Sequence, residues 1–305
     1  MRALLLAALL APLAALATGA GAAPVTVTHA GGQTTLPATP RRVLVFDPTT
    51  LDTLDALGVD VLGVPGSNLP DYLAKYRDPR HVKIGTLFEP DYEAVAAAAP
   101  DLIIVGARSA VRRAELARIA PTIDLTIADT DFLAGARRNV ETLGRIFDRQ
   151  AQAAALLAHM DGAAARVRAD APAAGTVLVV MVNGGKVTAY GPGSRFGWIH
   201  DDLGVKPAIA DVKAATHGEV VSFEFILKTN PDWLFVIDRD AAVGRAGEAA
   251  RAALDNDLIA ATRAARAGRI FYVDAVRWYI IGGGGAALPL VTEEIAAAFE
   301  AGRAP

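Results

Sequence analysis

Three arginines of this 305-residue sequence occupy positions where proteins often bind anions. Arg108 and Arg239 each follow an apolar run that predicts a buried strand, and Arg195 lies in the segment GPGSRFG, at the start of a predicted helix. Ligands of open α/β sheets bind beyond the carboxyl ends of the strands. Three guanidinium groups converging there would form a cationic cleft for a compact polyanion, although the formal net charge is −3. The alternative is that each arginine faces solvent or pairs with an acid.

Two further side chains stand out by their surroundings. His217 lies in a loop directly before a glycine, and Tyr279 stands shortly before the four consecutive glycines 282–285, which permit close backbone approach. Either residue could be a ligand, but taken alone each is more simply explained as an ordinary loop residue. The five histidines are scattered without HExxH spacing, cysteine is absent, and no GxSxG motif occurs. No sequence pattern therefore supports a zinc enzyme or a catalytic triad.

An internal repeat relates two of these arginines. Residues 93–108 read EAVAAAAPDLIIVGAR and residues 224–239 read EFILKTNPDWLFVIDR, and the two align without a gap. The initial glutamates (Glu93 and Glu224), the Pro-Asp pair, a strand valine and the final arginine fall in register. Each copy predicts one helix followed by one strand of parallel type. Segments that consist of a helix, a Pro-Asp turn and a strand look alike in many proteins. This general similarity explains the matched glutamate and arginine less well.

Predicted strands alternate with predicted helices along the chain, which indicates an α/β fold. We expect two Rossmann-like lobes with central parallel-type sheets, joined by one long helix, with the ligand cleft between the lobes. The predicted divisions are an N-terminal lobe over 23–148, the interlobe helix over 149–171 and a C-terminal lobe over 172–305. About twenty residues of helix span roughly 30 Å, the width of a small domain. In the second lobe, residues 247–269 are predicted as one further helix.

The first 22 residues have the pattern of a secretory signal peptide, with one basic residue, an apolar run and small residues before the predicted cleavage point. The absence of cysteine means that neither a disulfide nor a lipid-modified cysteine can form. We therefore expect an exported, soluble protein of the periplasm that is not lipid-anchored. We also expect a monomer without a nucleic-acid partner.

The chain resembles the periplasmic binding proteins for iron siderophores and vitamin B12 that supply ABC importers and have a single interlobe helix. The resemblance covers nearly all of the chain after residue 22, and EPDYEAVAAAAPDLII is typical of the whole family. The segments GPGSRFG, THG, SFEFILKTNPDWLFVIDR and RWYIIGGG are more specific. They resemble the subgroup that binds ferric catecholate siderophores of the enterobactin type, including linear tetradentate forms. Gram-positive members carry a lipid-anchor cysteine, which this chain lacks.

This resemblance implies a function for each singled-out residue. Arg108, Arg195 and Arg239 would hold the catecholate oxygens, while His217 and Tyr279 would complete the coordination of Fe(III), which is bound only through the siderophore. Glu93 and Glu224 would dock onto arginines of a dimeric membrane permease. From the residues alone, an alternative stays open, in which the two glutamates serve only to stabilise the first turns of their helices, where the helix dipole favours a carboxylate.

The coordination chemistry of Fe(III) agrees with this assignment. Fe(III) is a hard cation that suits catecholate and phenolate oxygens, and a tetradentate ligand leaves two of six positions open. A tyrosine can bind as phenolate because the charge of the metal displaces its proton, and a neutral imidazole can supply the sixth donor. Two alternatives remain at this stage. One is a haem- or cobalamin-binding protein of the same fold, and the other is a periplasmic siderophore esterase, which would be an enzyme.

Overall fold

Two five-stranded sheets organise the protein, and the computed structural model describes residues 24–66, 69–209, 217–245 and 249–302. The first sheet has the order β5-β4-β3-β6-β7, and all of its neighbouring strands are parallel. A separate hairpin precedes this sheet. The strands of the first half are β1 (Val25–His29) and β2 (Gly32–Leu36) in the hairpin, then β3 (Val43–Val45), β4 (Gly63–Val64), β5 (Val82–Lys83), β6 (Leu102–Val105) and β7 (Thr122–Asp124).

Helices cover this first sheet and lead out of it. The α-helices are α1 (Pro48–Ala56), α2 (Tyr92–Ala97), α3 (Arg113–Leu116), α4 (Phe132–Ile146) and α5 (Gln150–Ala174), and 3₁₀ turns span Asp71–Arg77, Ala107–Arg112 and Asp129–Asp131. Asp47 caps α1 by accepting a hydrogen bond from the N–H of Thr50, and Pro48 is pre-organised for the first helical position. The buried leucines 51 and 54 then face the sheet.

The second sheet has the order β10-β9-β8-β11-β12 and is mixed. Its elements are β8 (Val177–Asn183), β9 (Lys186–Tyr190), α6 (Trp198–Asp201), β10 (Glu219–Val221), α7 (Phe223–Thr229), β11 (Trp233–Asp238), α8 (Arg239–Ala242), α9 (Ala249–Leu254), α10 (Asp257–Ala260), α11 (Arg263–Arg266), β12 (Ile270–Tyr272), α12 (Ala275–Tyr279) and α13 (Ala287–Ala301). Strands β8, β11 and β12 are parallel. Strand β9 pairs antiparallel with β8 after a tight turn in which Gly184 and Gly185 take positive φ, and β10 pairs antiparallel with β9.

The predicted fold class is confirmed, with two α/β lobes joined by a long helix. Helix α5 spans Gln150–Ala174, where the sequence predicts 149–171. It continues past Pro172 because a proline φ is compatible with a helix, so that only its own N–H bond is lost in the last turn. Gly175, with φ 90, ends the helix. The predicted signal peptide over 1–22 lies outside the described residues.

The single helix predicted over 247–269 is wrong in the described part, where three short helices stand instead. Asn256 and Thr262 cap α10 and α11 by accepting hydrogen bonds from the N–H groups of Ile259 and Ala265. Asn and Thr side chains compete with the helical backbone for hydrogen bonds, so they restart a helix rather than continue it. None of the helices in the described ranges combines the length and the apolar character needed to cross a bilayer.

The two lobes also meet directly at Asp52, a buried carboxylate on α1. Its Oδ2 accepts hydrogen bonds from the N–H groups of Ala286 (2.9 Å) and Ala287 (3.1 Å), at the start of α13. The Tyr72 hydroxyl donates to its other oxygen. Beside it, the Thr53 hydroxyl accepts from the N–H of Gly285 at 2.9 Å. The glycine run of the second lobe is therefore pinned to the first helix of the other lobe.

We predict that Asp52→Ala destabilises the protein by about 2–4 kcal/mol, because it leaves two backbone donors and one hydroxyl without a partner at a buried position. Asp71→Ala is the matched control, since that carboxylate is exposed and pairs only with Arg77. Chemical denaturation of both variants measures the difference. Equal stability of the two variants would show that Asp52 does not hold the lobes together.

Candidate functional site

A cleft of about 710 Å³ lies between the two lobes. Both lobes contribute to its lining, which includes four of the five residues singled out as ligands, namely Arg108, Arg195, His217 and Tyr279. A second cavity, of about 860 Å³, lies between the β1–β2 hairpin and helices α4 and α5, and none of the predicted site residues lines it. The cleft between the lobes is therefore the candidate site.

Tyr279 stands at the centre of an arginine cluster. Arg108 and Arg195 donate hydrogen bonds to its carbonyl oxygen, at 3.4 and 2.5 Å, and Arg239 donates to its hydroxyl at 3.3 Å. The three guanidinium carbons lie 5.0, 4.5 and 5.7 Å from the centre of its ring, within the range of cation–π attraction. The structure thus brings together three arginines from both lobes around one phenol.

The arginines change the acidity of this phenol. Burial, the largest single influence, raises the pKa of Tyr279, but the hydrogen bond from Arg239 to the hydroxyl and the charges of Arg108 and Arg195 together lower it to about 8. Burial also lowers the pKa of Arg195, and the neighbouring charge of Arg108 adds to that effect. The cluster therefore favours negative charge on Tyr279 and on any ligand beside it.

Helix α12 places Tyr279 at its C-terminal end. Asp274 caps the helix by accepting from the N–H of Arg277 at 3.0 Å. Glu294 of α13 accepts from the N–H of Asp274 at 3.0 Å and from the indole N–H of Trp278 at 2.8 Å. The half-buried Glu294 thus fixes the helix that carries Tyr279. No sequence pattern marks Glu294 for this role, because its partners are about twenty residues away and only the fold brings them together.

The arginine from the first lobe follows β6 after a strained residue. Ala107 has φ 45, in the left-handed region, and its N–H donates to the Thr126 hydroxyl at 2.9 Å. That hydroxyl donates in turn to Asp124 at 2.5 Å. A left-handed alanine costs energy that the surroundings must offset, and such residues cluster at functional sites. The strain lies directly before Arg108, where the chain leaves the sheet.

The second lobe supplies the other two arginines in different ways. Arg239 begins α8, which Asp238 caps, and it also donates to the amide oxygen of Asn183 at 3.3 Å. It contacts the Tyr279 hydroxyl and is not one of the residues that line the cleft. The predicted helix start at Arg195 is wrong, because α6 begins at Trp198. The Ser194 hydroxyl donates to the Gly191 carbonyl at 2.6 Å and closes a tight turn instead.

His217 is exposed and lines the cleft directly before β10. Gly218, at φ 64, packs so closely on β9 that a Cβ atom there would lie 2.5 Å from the Ala189 carbonyl oxygen. Only glycine fits this approach, and it turns the chain at the histidine. The antiparallel pairing of Glu219 with Ala189 then fixes the loop to the sheet.

The remaining walls of the cleft are rich in aromatic side chains. Phe132 of α4 stacks on Trp198 of α6, with ring centres 5.4 Å apart and planes 16° apart, and so joins the two lobes. Phe196 and Trp278 are buried in the adjoining wall. Such walls and the arginines together suit an anion with flat apolar faces.

The two repeat glutamates lie outside this cleft. Glu93 is the second residue of α2 and Glu224 is the second residue of α7, and both are exposed. Asp91 and Ser222 cap the two helices by accepting from the N–H groups of Ala94 and Phe225. Other residues make the capping hydrogen bonds at both helix starts, and both glutamates are exposed in the first turn.

Comparison with known proteins places this geometry in context. The model of the family described as periplasmic binding protein matches residues 43–276. The petrobactin-binding protein YclQ of Bacillus subtilis is 42% identical over 265 residues, which are 86% of this chain and 83% of that protein. The ferric-anguibactin-binding protein FatB of Vibrio anguillarum is 34% identical over 281 residues, 89% of this chain and 86% of that protein.

Solved structures agree with the sequence relatives. The crystal structure of YclQ superposes with a TM-score of 0.87 at 40% identity, covering 91% of this chain and 99% of that one. The periplasmic catecholate-siderophore binding protein VctP of Vibrio cholerae superposes with a TM-score of 0.83 at 33% identity, covering 92% of this chain and all of that one.

We predict that one of the six tyrosines ionises near pH 8 in the free protein, because the arginine cluster lowers the pKa of Tyr279. A spectroscopic titration of tyrosinate absorbance measures this transition. Tyr279→Phe should abolish it. Tyr72→Phe is the control and should leave it unchanged, because burial and Asp52 raise the pKa of that phenol. A transition near pH 8 that persists in Tyr279→Phe would contradict the assignment.

Proposed function

This chain belongs to the periplasmic binding protein family, and from that membership we propose that it captures ferric catecholate siderophores, linear tetradentate forms included, and delivers them to an ABC importer. The relatives that support the proposal are named for binding petrobactin, ferric anguibactin and catecholate siderophores. As binding proteins they also support a function in capture and transfer rather than in catalysis.

The convergence of Arg108, Arg195 and Arg239 on Tyr279 is the observation that carries this proposal. A ferric ion with two doubly charged catecholates has one net negative charge, and with three catecholates it has three. Arginine donors suit such complexes, because each charge-assisted hydrogen bond contributes roughly 1.5–3 kcal/mol. The aromatic walls of the cleft match the catechol rings.

Tyr279 and His217 are the residues proposed as iron ligands. A tetradentate siderophore leaves two positions open, which a phenolate oxygen and an imidazole nitrogen can fill. The lowered pKa of Tyr279, about 8, decreases the cost of forming the phenolate before iron arrives. His217 lies on an exposed loop of the same cleft, where it can approach a ligand that enters from solvent. Arg239 stands next to the phenol oxygen and would stabilise its charge.

Two other ligand classes fit the cleft less well. Haem and cobalamin are the ligands of proteins with the same overall fold, but three arginines around one acidic tyrosine favour a compact polyanion with oxygen donors. A periplasmic esterase would need a nucleophile beside a base. The cluster supplies a phenol among guanidinium groups instead, and these groups stabilise charge rather than remove a proton.

The proposed place of action is the periplasm, after cleavage of the predicted signal peptide over 1–22 and without a lipid anchor. A monomer would dock on a dimeric permease through one glutamate of each lobe. Each glutamate would contact a different subunit of the permease. Glu93 and Glu224 suit this role, because both are exposed at matched positions of α2 and α7. The pKa of Glu224 is lowered by its own backbone N–H and by Ser222, so its carboxylate stays charged.

We predict that Tyr279→Phe and His217→Ala each shift the ligand-to-metal absorption of the bound tetradentate ferric catecholate, because each removes a metal ligand. Arg195→Ala should weaken binding by about tenfold or more without changing the colour, since that guanidinium holds charge outside the metal. Titration followed by quenching of tryptophan fluorescence gives the affinities, because Trp198 and Trp278 line the cleft. Unchanged absorption in both ligand variants would show that neither residue binds iron.

We predict that Glu93→Ala combined with Glu224→Ala abolishes siderophore uptake by cells and leaves the affinity of the purified protein intact. Glu141→Ala combined with Glu300→Ala is the matched control, because these glutamates are also exposed. Uptake of labelled ferric siderophore by cells that carry each variant measures the effect. Normal uptake by the Glu93/Glu224 variant would reject the docking role.

A further inference from the structure

Phe88 is an aromatic side chain that is largely exposed to solvent. It is 57% exposed, whereas its neighbour Leu87 is 3% exposed. Phe88 nevertheless lines the cleft at its rim, beside Ala107 and Arg108. Single exposed apolar side chains are common on protein surfaces, but this one lies in the cleft, so its exposed face is available to a bound ligand.

The turn that carries Phe88 is held firmly. The Thr86 hydroxyl accepts hydrogen bonds from the N–H groups of Phe88 (3.2 Å) and Glu89 (3.0 Å), and the Thr86 N–H donates to the Glu89 carbonyl at 2.9 Å. Gly85, at φ 99, packs so tightly that a Cβ atom there would lie 2.4 Å from the Glu89 carbonyl oxygen. The ring is thus presented by a fixed backbone, which lowers the entropy lost on ligand binding.

The same turn is tied to the arginine cluster. Arg112 donates from Nε to the Phe88 carbonyl at 3.2 Å, and it ends the 3₁₀ turn Ala107–Arg112 that carries Arg108. Phe88 and Arg108 therefore have a common support in the first lobe. Both residues line the cleft, so a ligand large enough to reach Arg108 with one group could contact the ring of Phe88 with another.

We propose that Phe88 contacts an aromatic ring of the bound ferric complex and so contributes to selection of aromatic siderophores. This role rests on the proposed function. Aromatic rings attract one another in offset or edge-to-face arrangements beyond the effect of burial alone. A ligand ring that covers Phe88 would remove its exposed face from water while the catecholate oxygens contact the arginines.

Four variants test the proposal with a ferric bis-catecholate as ligand. We expect Phe88→Ala and Phe88→Leu to weaken binding by about five- to twentyfold, and Phe88→Tyr to retain the affinity of the unaltered protein. Val111→Ala is the control, because Val111 is 75% exposed on the adjoining 3₁₀ turn and does not line the cleft. The absorption of the bound complex and the thermal midpoint of the free protein should stay unchanged in all four, which separates a contact with the ligand from an effect on the metal or the fold.

Two results would overturn the proposal in different ways. If the unaltered protein binds the complex and Phe88→Leu binds it equally well, the aromatic contact is refuted while the function stands. If the unaltered protein does not bind the ferric bis-catecholate, the proposed function fails and this role fails with it.

Discussion

The structure depends on holding three positive charges close to one another. Arg108, Arg195 and Arg239 would repel one another in the partly buried cleft, and the protein offsets this with the carbonyl, the ring and the hydroxyl of Tyr279. The hydrogen bonds from these arginines to Tyr279 reach uncharged acceptors, and the carboxylate of Asp129 in the cleft acts on Arg195, so the three positive charges are offset only in part. The lowered pKa of Tyr279 has the same cause, because the remaining positive charge favours the phenolate. An anionic ligand in the cleft would offset the remaining positive charge.

The surrounding elements serve to keep this cluster in place. Glu294 fixes the helix that ends at Tyr279, while Thr53 holds the last residue of the glycine run and Asp52 holds the start of α13. The stacked pair of Phe132 and Trp198 connects the lobes at the wall of the cleft. These contacts join the lobes in addition to α5. A site held in this way needs little rearrangement when it binds, which favours affinity for a rigid metal complex.

Much of this arrangement could be predicted from the sequence, because it depends on local patterns. The sixteen-residue repeat placed Arg108 and Arg239 after buried strands, and apolar runs that alternate with amphipathic helices indicated two α/β lobes. The roles of Asp52, Glu294 and Phe88 could not be predicted. Asp52 contacts residues more than 230 positions away, and an aspartate in a leucine-rich helix looks like part of its polar face. Phe88 looked like an ordinary apolar residue, and only its exposure at the rim of the cleft distinguishes it.

The most direct test of the account is a crystal structure of the protein with a tetradentate ferric catecholate. The account predicts that the phenol oxygen of Tyr279 and a ring nitrogen of His217 occupy the two open positions on iron, with the guanidinium groups of Arg108 and Arg195 on the catecholate oxygens. Iron whose remaining positions are filled by water, with Tyr279 still held only by the arginines, would contradict it.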